Sequence, residues 1–164
     1  ALYEGTNGIQ SQDLLGRKVT LQNGKALELL AAEMMQTITL ASQHPELAPY
    51  AKELASTLKL SQEILQKLMP FAMKGDYERY LSDANLFMEY MSLVVLSWLW
   101  LEMGVNAKET LASGDLKYDL NFYESKIHTM KFYFKYELPK TSSLATSLMS
   151  DEVLTIKQDK EYIL

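Results

Sequence analysis

Seven positions between residues 47 and 68 constrain this chain more than any others. Leu47, Ala51, Leu54, Leu58, Ser61, Leu65 and Leu68 succeed one another at steps of four and three, which lays their side chains along one stripe of an α-helix. A stripe this long suits a helix flanked by antiparallel neighbours. The expected fold is therefore all-α, an up-and-down antiparallel bundle of about four to five helices.

The flanking segments supply those neighbours. Leu27, Leu30, Met34, Ile38 and Ala41 predict a helix over 25–43, stopped by His44-Pro45. The striped helix should cover 46–73, with Pro49 in its first turn and Pro70 as a place to kink. Gly75-Asp76 restarts the chain. Tyr80, Ala84, Phe87, Met88, Met91, Val94, Val95, Trp98 and Leu101 then form a face so wide that this helix should be central. Beyond Gly104 and Gly114, Leu120, Tyr123, Ile127, Met130, Phe134 and Leu138 predict a helix over 116–138, closed by Pro139.

At the front, Thr6 or Asn7 caps a helix over 7–20, which Asn23-Gly24 breaks. At the back, the Ser- and Thr-rich stretch 141–150 suits one short helix. The chain thus divides into 1–20, a helical bundle over 21–150, and a polar tail over 151–164.

Composition narrows the functional classes. Hydrophobic residues make up 48% of the chain, too many for disorder, and 7 Gly with 4 Pro supply too few turns for an all-β protein. A net charge of −5 argues against a nucleic-acid partner, whose phosphates are held by Lys and Arg. Even the run 131–136, two Lys among four aromatics, reads as core with snorkelling Lys. Without Cys there is no disulfide framework, thiolate metal site or Cys nucleophile, and a cytoplasmic location is expected. His44 and His128 belong to no His-Glu-x-x-His or Glu-x-x-His pair, so no metal centre is expected. The apolar run 93–101 is flanked or interrupted by Glu89, Ser92, Ser97 and Glu102, and reads as a buried core helix rather than a transmembrane segment.

The chemistry lies in residues 2–19, Leu-Tyr-Glu-Gly-Thr-Asn-Gly-Ile-Gln-Ser-Gln-Asp-Leu-Leu-Gly-Arg-Lys-Val. By pattern alone, Glu4-Gly5-Thr6-Asn7-Gly8 is a polar turn leading into a helix. Tyr3 to Lys18 closely resembles the flavin-contacting segment of acyl-CoA dehydrogenases. The Asp-Leu-Leu-Gly-Arg-Lys continuation and long helical tail resemble the bacterial subgroup that includes 3-methylmercaptopropionyl-CoA dehydrogenase, with its extra C-terminal helical domain.

The resemblance implies that Glu4 is the base for the substrate α-proton, Gly5 a substrate neighbour and Thr6 a contact to FAD. At Gly8 many shorter-chain members carry Gln, so only backbone contact with the cofactor is implied there. Arg17 resembles the family's Arg at the end of this helix, offset by one residue, and is not counted as a site. The implied partners are an acyl-CoA substrate, an electron-transfer acceptor and further copies of the same chain. An active-site carboxylate at residue 4 leads to the expectation of a C-terminal piece of a longer enzyme, inactive alone. The competing reading is a helical self-association or binding module.

Overall fold

A computed structural model describes residues 6–156, and the described residues form helices and turns with no β-strand. Helix α1 (Thr6–Asp13) passes directly into a π-helical turn (Leu14–Lys18). It is followed by α2 (Lys25–Ser42), α3 (Ala48–Met73), α4 (Tyr77–Leu81), α5 (Ala84–Ser113), α6 (Leu120–Tyr136) and α7 (Lys140–Leu148).

The stripe that defines α3 is wholly inside, with all seven of its positions buried. Ser61 is tolerated there because its hydroxyl donates to the Leu58 carbonyl at 2.6 Å. Tyr90 of α5 is fully buried in the core and donates its hydroxyl to the Thr57 carbonyl of α3 at 2.7 Å. The wide-faced α5 is central, packed by α1, α2, α3, α6 and α7. It is also long and apolar enough to cross a membrane by length and composition alone. One apolar cluster runs from Leu15 and Val19 through α2, α3 and α5 to Leu148 of α7, with a satellite of Ala107, Tyr123 and Ile127 between α5 and α6.

Local chemistry explains the breaks. Gln22, Asn23 and Gly24 all adopt positive φ, so the left-handed turn expected at Asn23-Gly24 begins one residue earlier. Asp76 and Asp119 cap α4 and α6, accepting from the Arg79 amide at 3.1 Å and the Phe122 amide at 2.8 Å. Beyond α7 the chain is strapped back across the bundle. Lys67 pairs with Asp151 at 2.9 Å, Arg79 donates to the Asp151 carbonyl at 3.2 Å, and Thr155 reaches Asp83 at 3.0 Å.

Several expectations are corrected. The single helix expected after Gly75-Asp76 is two: α4 stops at Leu81, and α5 starts at Ala84. Gly104 is no break, since α5 continues through it to Ser113. A Cβ at Gly104 would lie 2.5 Å from Met130 Sδ, so glycine there lets α6 approach. Gly114, at φ 74°, is the true end. Helix α3 starts at Ala48 rather than 46, because the Leu47 and Ala48 amides fold onto the His44 carbonyl at 2.9 Å. It continues past Pro70 to Met73. Helix α6 starts at Leu120 rather than 116, since the Lys117 and Tyr118 amides turn to the Tyr123 hydroxyl. Leu120, 55% exposed, drops out of the buried stripe.

Candidate functional site

Glu4 and Gly5 lie outside the described residues. Thr6 is the first residue of α1 and is exposed. Neither Thr6 nor Asn7 stands ahead of the helix as a cap, because both are already in its first turn. That turn has an open surface: Thr6 and Asn7 are exposed, and a Cβ at Gly8 would meet nothing within 4 Å. First-turn amides have no partner within their own helix. The surface is therefore physically suited to receive polar groups of a cofactor at Thr6 and at the Gly8 backbone.

The opposite face of α1 is held from beneath. Ser11 is buried, and its Oγ lies 2.8 Å from the Gly8 carbonyl oxygen and 2.6 Å from Asn85 Oδ1 at the start of α5. One turn on, Leu15 is fully buried, and its carbonyl accepts from the Tyr80 hydroxyl of α4 at 2.7 Å. Burial pushes the Tyr80 phenol above its ordinary pKa.

Between these holds and α2 the helix widens. The Val19 amide donates to the Leu14 carbonyl at 3.0 Å, five residues back instead of four. Arg17 lies in this widened turn and forms a two-pronged pair with Asp13, its Nη2 donating to Oδ2 at 2.9 Å. The guanidinium holds the Asp13 carboxyl below its usual pKa range. A π-helical turn accommodates one residue more than an α-helical turn.

A cavity of about 540 Å³ lies between the π-helical turn, α2 and α5, walled by Leu14, Val19, Leu27, Leu30, Met91 and Val95 with Lys18 at its edge. Its lining includes none of residues 6–13. A second cavity of about 300 Å³ between α2, α3 and α5 shares Leu27, Leu30 and Met91 with the first. Among the described residues no group of His, Asp and Glu could hold a metal ion. Their evident contribution is to seat α1 so that its first turn faces outward. Sequence reasoning missed Ser11, Tyr80 and Asn85 in this role. The available signal was Tyr80 itself, since a tyrosine on a core-facing stripe needs a partner for its hydroxyl.

The family model described as acetyl-CoA dehydrogenase C-terminal like matches residues 30–157. A butyryl-CoA dehydrogenase of Syntrophomonas wolfei is 28% identical over 164 residues, 99% of this chain and 27% of its own length. The broad-specificity linear acyl-CoA dehydrogenase FadE5 of Mycobacterium tuberculosis is 26% identical over 149 residues, covering 87% of this chain and 24% of FadE5. The chain spans about a quarter of the length of the curated relatives it matches. Because the family model covers well over half of its residues, the chain belongs to the acetyl-CoA dehydrogenase C-terminal like family.

Proposed function

We propose that these residues belong to an FAD-dependent enzyme that oxidises an acyl-CoA thioester to the 2,3-enoyl-CoA, with Glu4 as the α-proton base. The observation that carries this reading is the family match over 30–157, downstream of the Tyr-Glu-Gly-Thr segment at residues 3–6. The Glu4 carboxylate takes the α-proton, and the electron pair of that C–H bond becomes the new Cα–Cβ double bond as the β-hydride departs. FAD, when bound, supplies the acceptor for that hydride. Gly5 leaves room for the acyl chain beside the carboxylate. With FAD bound, the exposed Thr6 hydroxyl and the first-turn amides of α1 would hydrogen-bond it. Thr6 and Asn7 are exposed and a Cβ at Gly8 would meet nothing within 4 Å, and this supports the cofactor assignment. The electrons pass on to an electron-transfer partner, the enzyme self-associates, and it works in the cytoplasm.

The test is Glu4→Gln in the full-length enzyme. The amide keeps the shape and much of the hydrogen bonding but accepts no proton. FAD and acyl-CoA should still bind, while single-turnover bleaching of the flavin slows by about 10²- to 10⁴-fold. Bleaching at the wild-type rate removes Glu4 from the mechanism.

A further inference from the structure

We propose that Tyr80 is a positioning residue for Glu4, acting through the π-helical turn; the inference rests on the reading of Glu4 as the base. In an α-helix the Val19 amide would bond the Leu15 carbonyl. Here it bonds Leu14 instead, at 3.0 Å, which leaves the carbonyl of a fully buried residue without the amide an α-helix provides. The Tyr80 hydroxyl, itself buried, donates to that oxygen at 2.7 Å from another helix. The hydroxyl compensates for the hydrogen bond that the widened turn gives up, and so favours the π-helical form over the α-helical one.

The choice between those two forms matters for everything upstream. Collapsing the π-turn to an α-turn takes one residue out of it. That rotates α1 by about 100° about its axis and shifts it by about 1.5 Å relative to the bundle. Glu4 stands two residues before α1. A base that must reach its proton at roughly 3 Å does not survive such a rotation.

Two further contacts fix the same geometry. Leu81 of α4 sits over Gly16, its Cδ2 only 3.4 Å from where a Cβ would stand. Ser11, one turn before Leu15 on the same face, is held at 2.6 Å by Asn85. Helix α4 and the first turn of α5 therefore grip α1 and its π-helical continuation at two successive turns.

The test uses the full-length flavoenzyme with Tyr80→Phe, which keeps the core-filling ring and deletes only the hydroxyl. FAD content and acyl-CoA affinity should stay within about twofold of wild type, while flavin reduction slows by about ten- to a hundredfold, a loss in kcat rather than in KM. In a Glu4→Gln background the same change should add less than about twofold, because no base remains to be positioned.

Reduction at the wild-type rate by the Tyr80→Phe enzyme overturns the proposal, as does equal slowing with and without Glu4. If the Tyr80→Phe enzyme does not fold, Ser11→Ala removes the neighbouring hold while improving helix propensity. That variant should also slow flavin reduction without loss of FAD, and an unchanged rate again overturns the proposal. Should Glu4→Gln alone leave reduction intact, the base assignment fails and this inference falls with it. A slow Glu4→Gln enzyme beside a normal Tyr80→Phe enzyme sinks this inference alone.

Discussion

Leu54 and Leu58 share one stripe of α3, yet replacing each by Ala should give different losses. Leu54 is fully buried and borders neither cavity described above. Its removal opens a void in closed packing, so the lost transfer free energy and the cavity cost add, for about 4 to 5 kcal/mol. Leu58 is 7% exposed and already walls the cavity of about 300 Å³ together with Ser61, Leu65 and Met91. A side chain facing a void has fewer atoms to lose contact with, and Leu58→Ala should cost about 2 to 3 kcal/mol. Urea unfolding of the two variants, followed by far-ultraviolet circular dichroism at constant slope, measures both losses. Equal losses at the two positions would show that α2 closes onto α3 in solution. A loss below about 1 kcal/mol at Leu54 would place the stripe outside the core.

Two further outcomes follow from the site and from the buried tyrosines. The 164 residues alone should stay colourless after mixing with FAD and gel filtration. Thr6 and the first-turn amides supply a few hydrogen bonds of about 0.5 to 1.5 kcal/mol each, against an association cost of at least roughly 4 kcal/mol; a yellow protein peak refutes this. Burial pushes the phenols of Tyr80, Tyr90 and Tyr133 above their ordinary value of 10.0. The folded state thus holds protons that the unfolded chain releases above about pH 10, so stability is full below that pH and declines as pH rises through it. Urea midpoints that stay constant from about pH 9 to pH 11 would contradict that linkage.

How much of this was legible depends on where the deciding atoms lie. The α3 stripe was readable because the residues that bury it are the residues that define it, and every one of its seven positions is inside. Gly104 and Gly114 look alike in sequence but differ in role. Gly114 ends α5 through its own positive φ, with nothing within 4 Å of a Cβ. Gly104 answers to Met130 Sδ on α6, an atom that no local reading reaches. The division of α4 from α5 was hidden for a related reason. Tyr80 and Ala84 are both buried and continue one periodic face across the break at Ser82-Asp83, so the pattern carries on where the backbone does not.

The candidate site shows the same limit from the other side. Tyr-Glu-Gly-Thr is identifiable as a motif, while the groups that orient the following helix come from α4 and α5 and carry no motif. Periodicity counted Tyr80 as one more apolar position, although its hydroxyl ends 2.7 Å from the Leu15 carbonyl. Nothing in Leu-Leu-Gly-Arg-Lys marks a π-turn, because widening by one residue is settled by what stands opposite: a donor for the Leu15 carbonyl and a leucine over Gly16. On the proposed reading, the motif specifies which atom takes the proton and the accessory helices specify where that atom stands. Substitutions in α4 that leave the motif untouched should then alter turnover before they alter cofactor content, the reverse of what damage to a flavin contact would do.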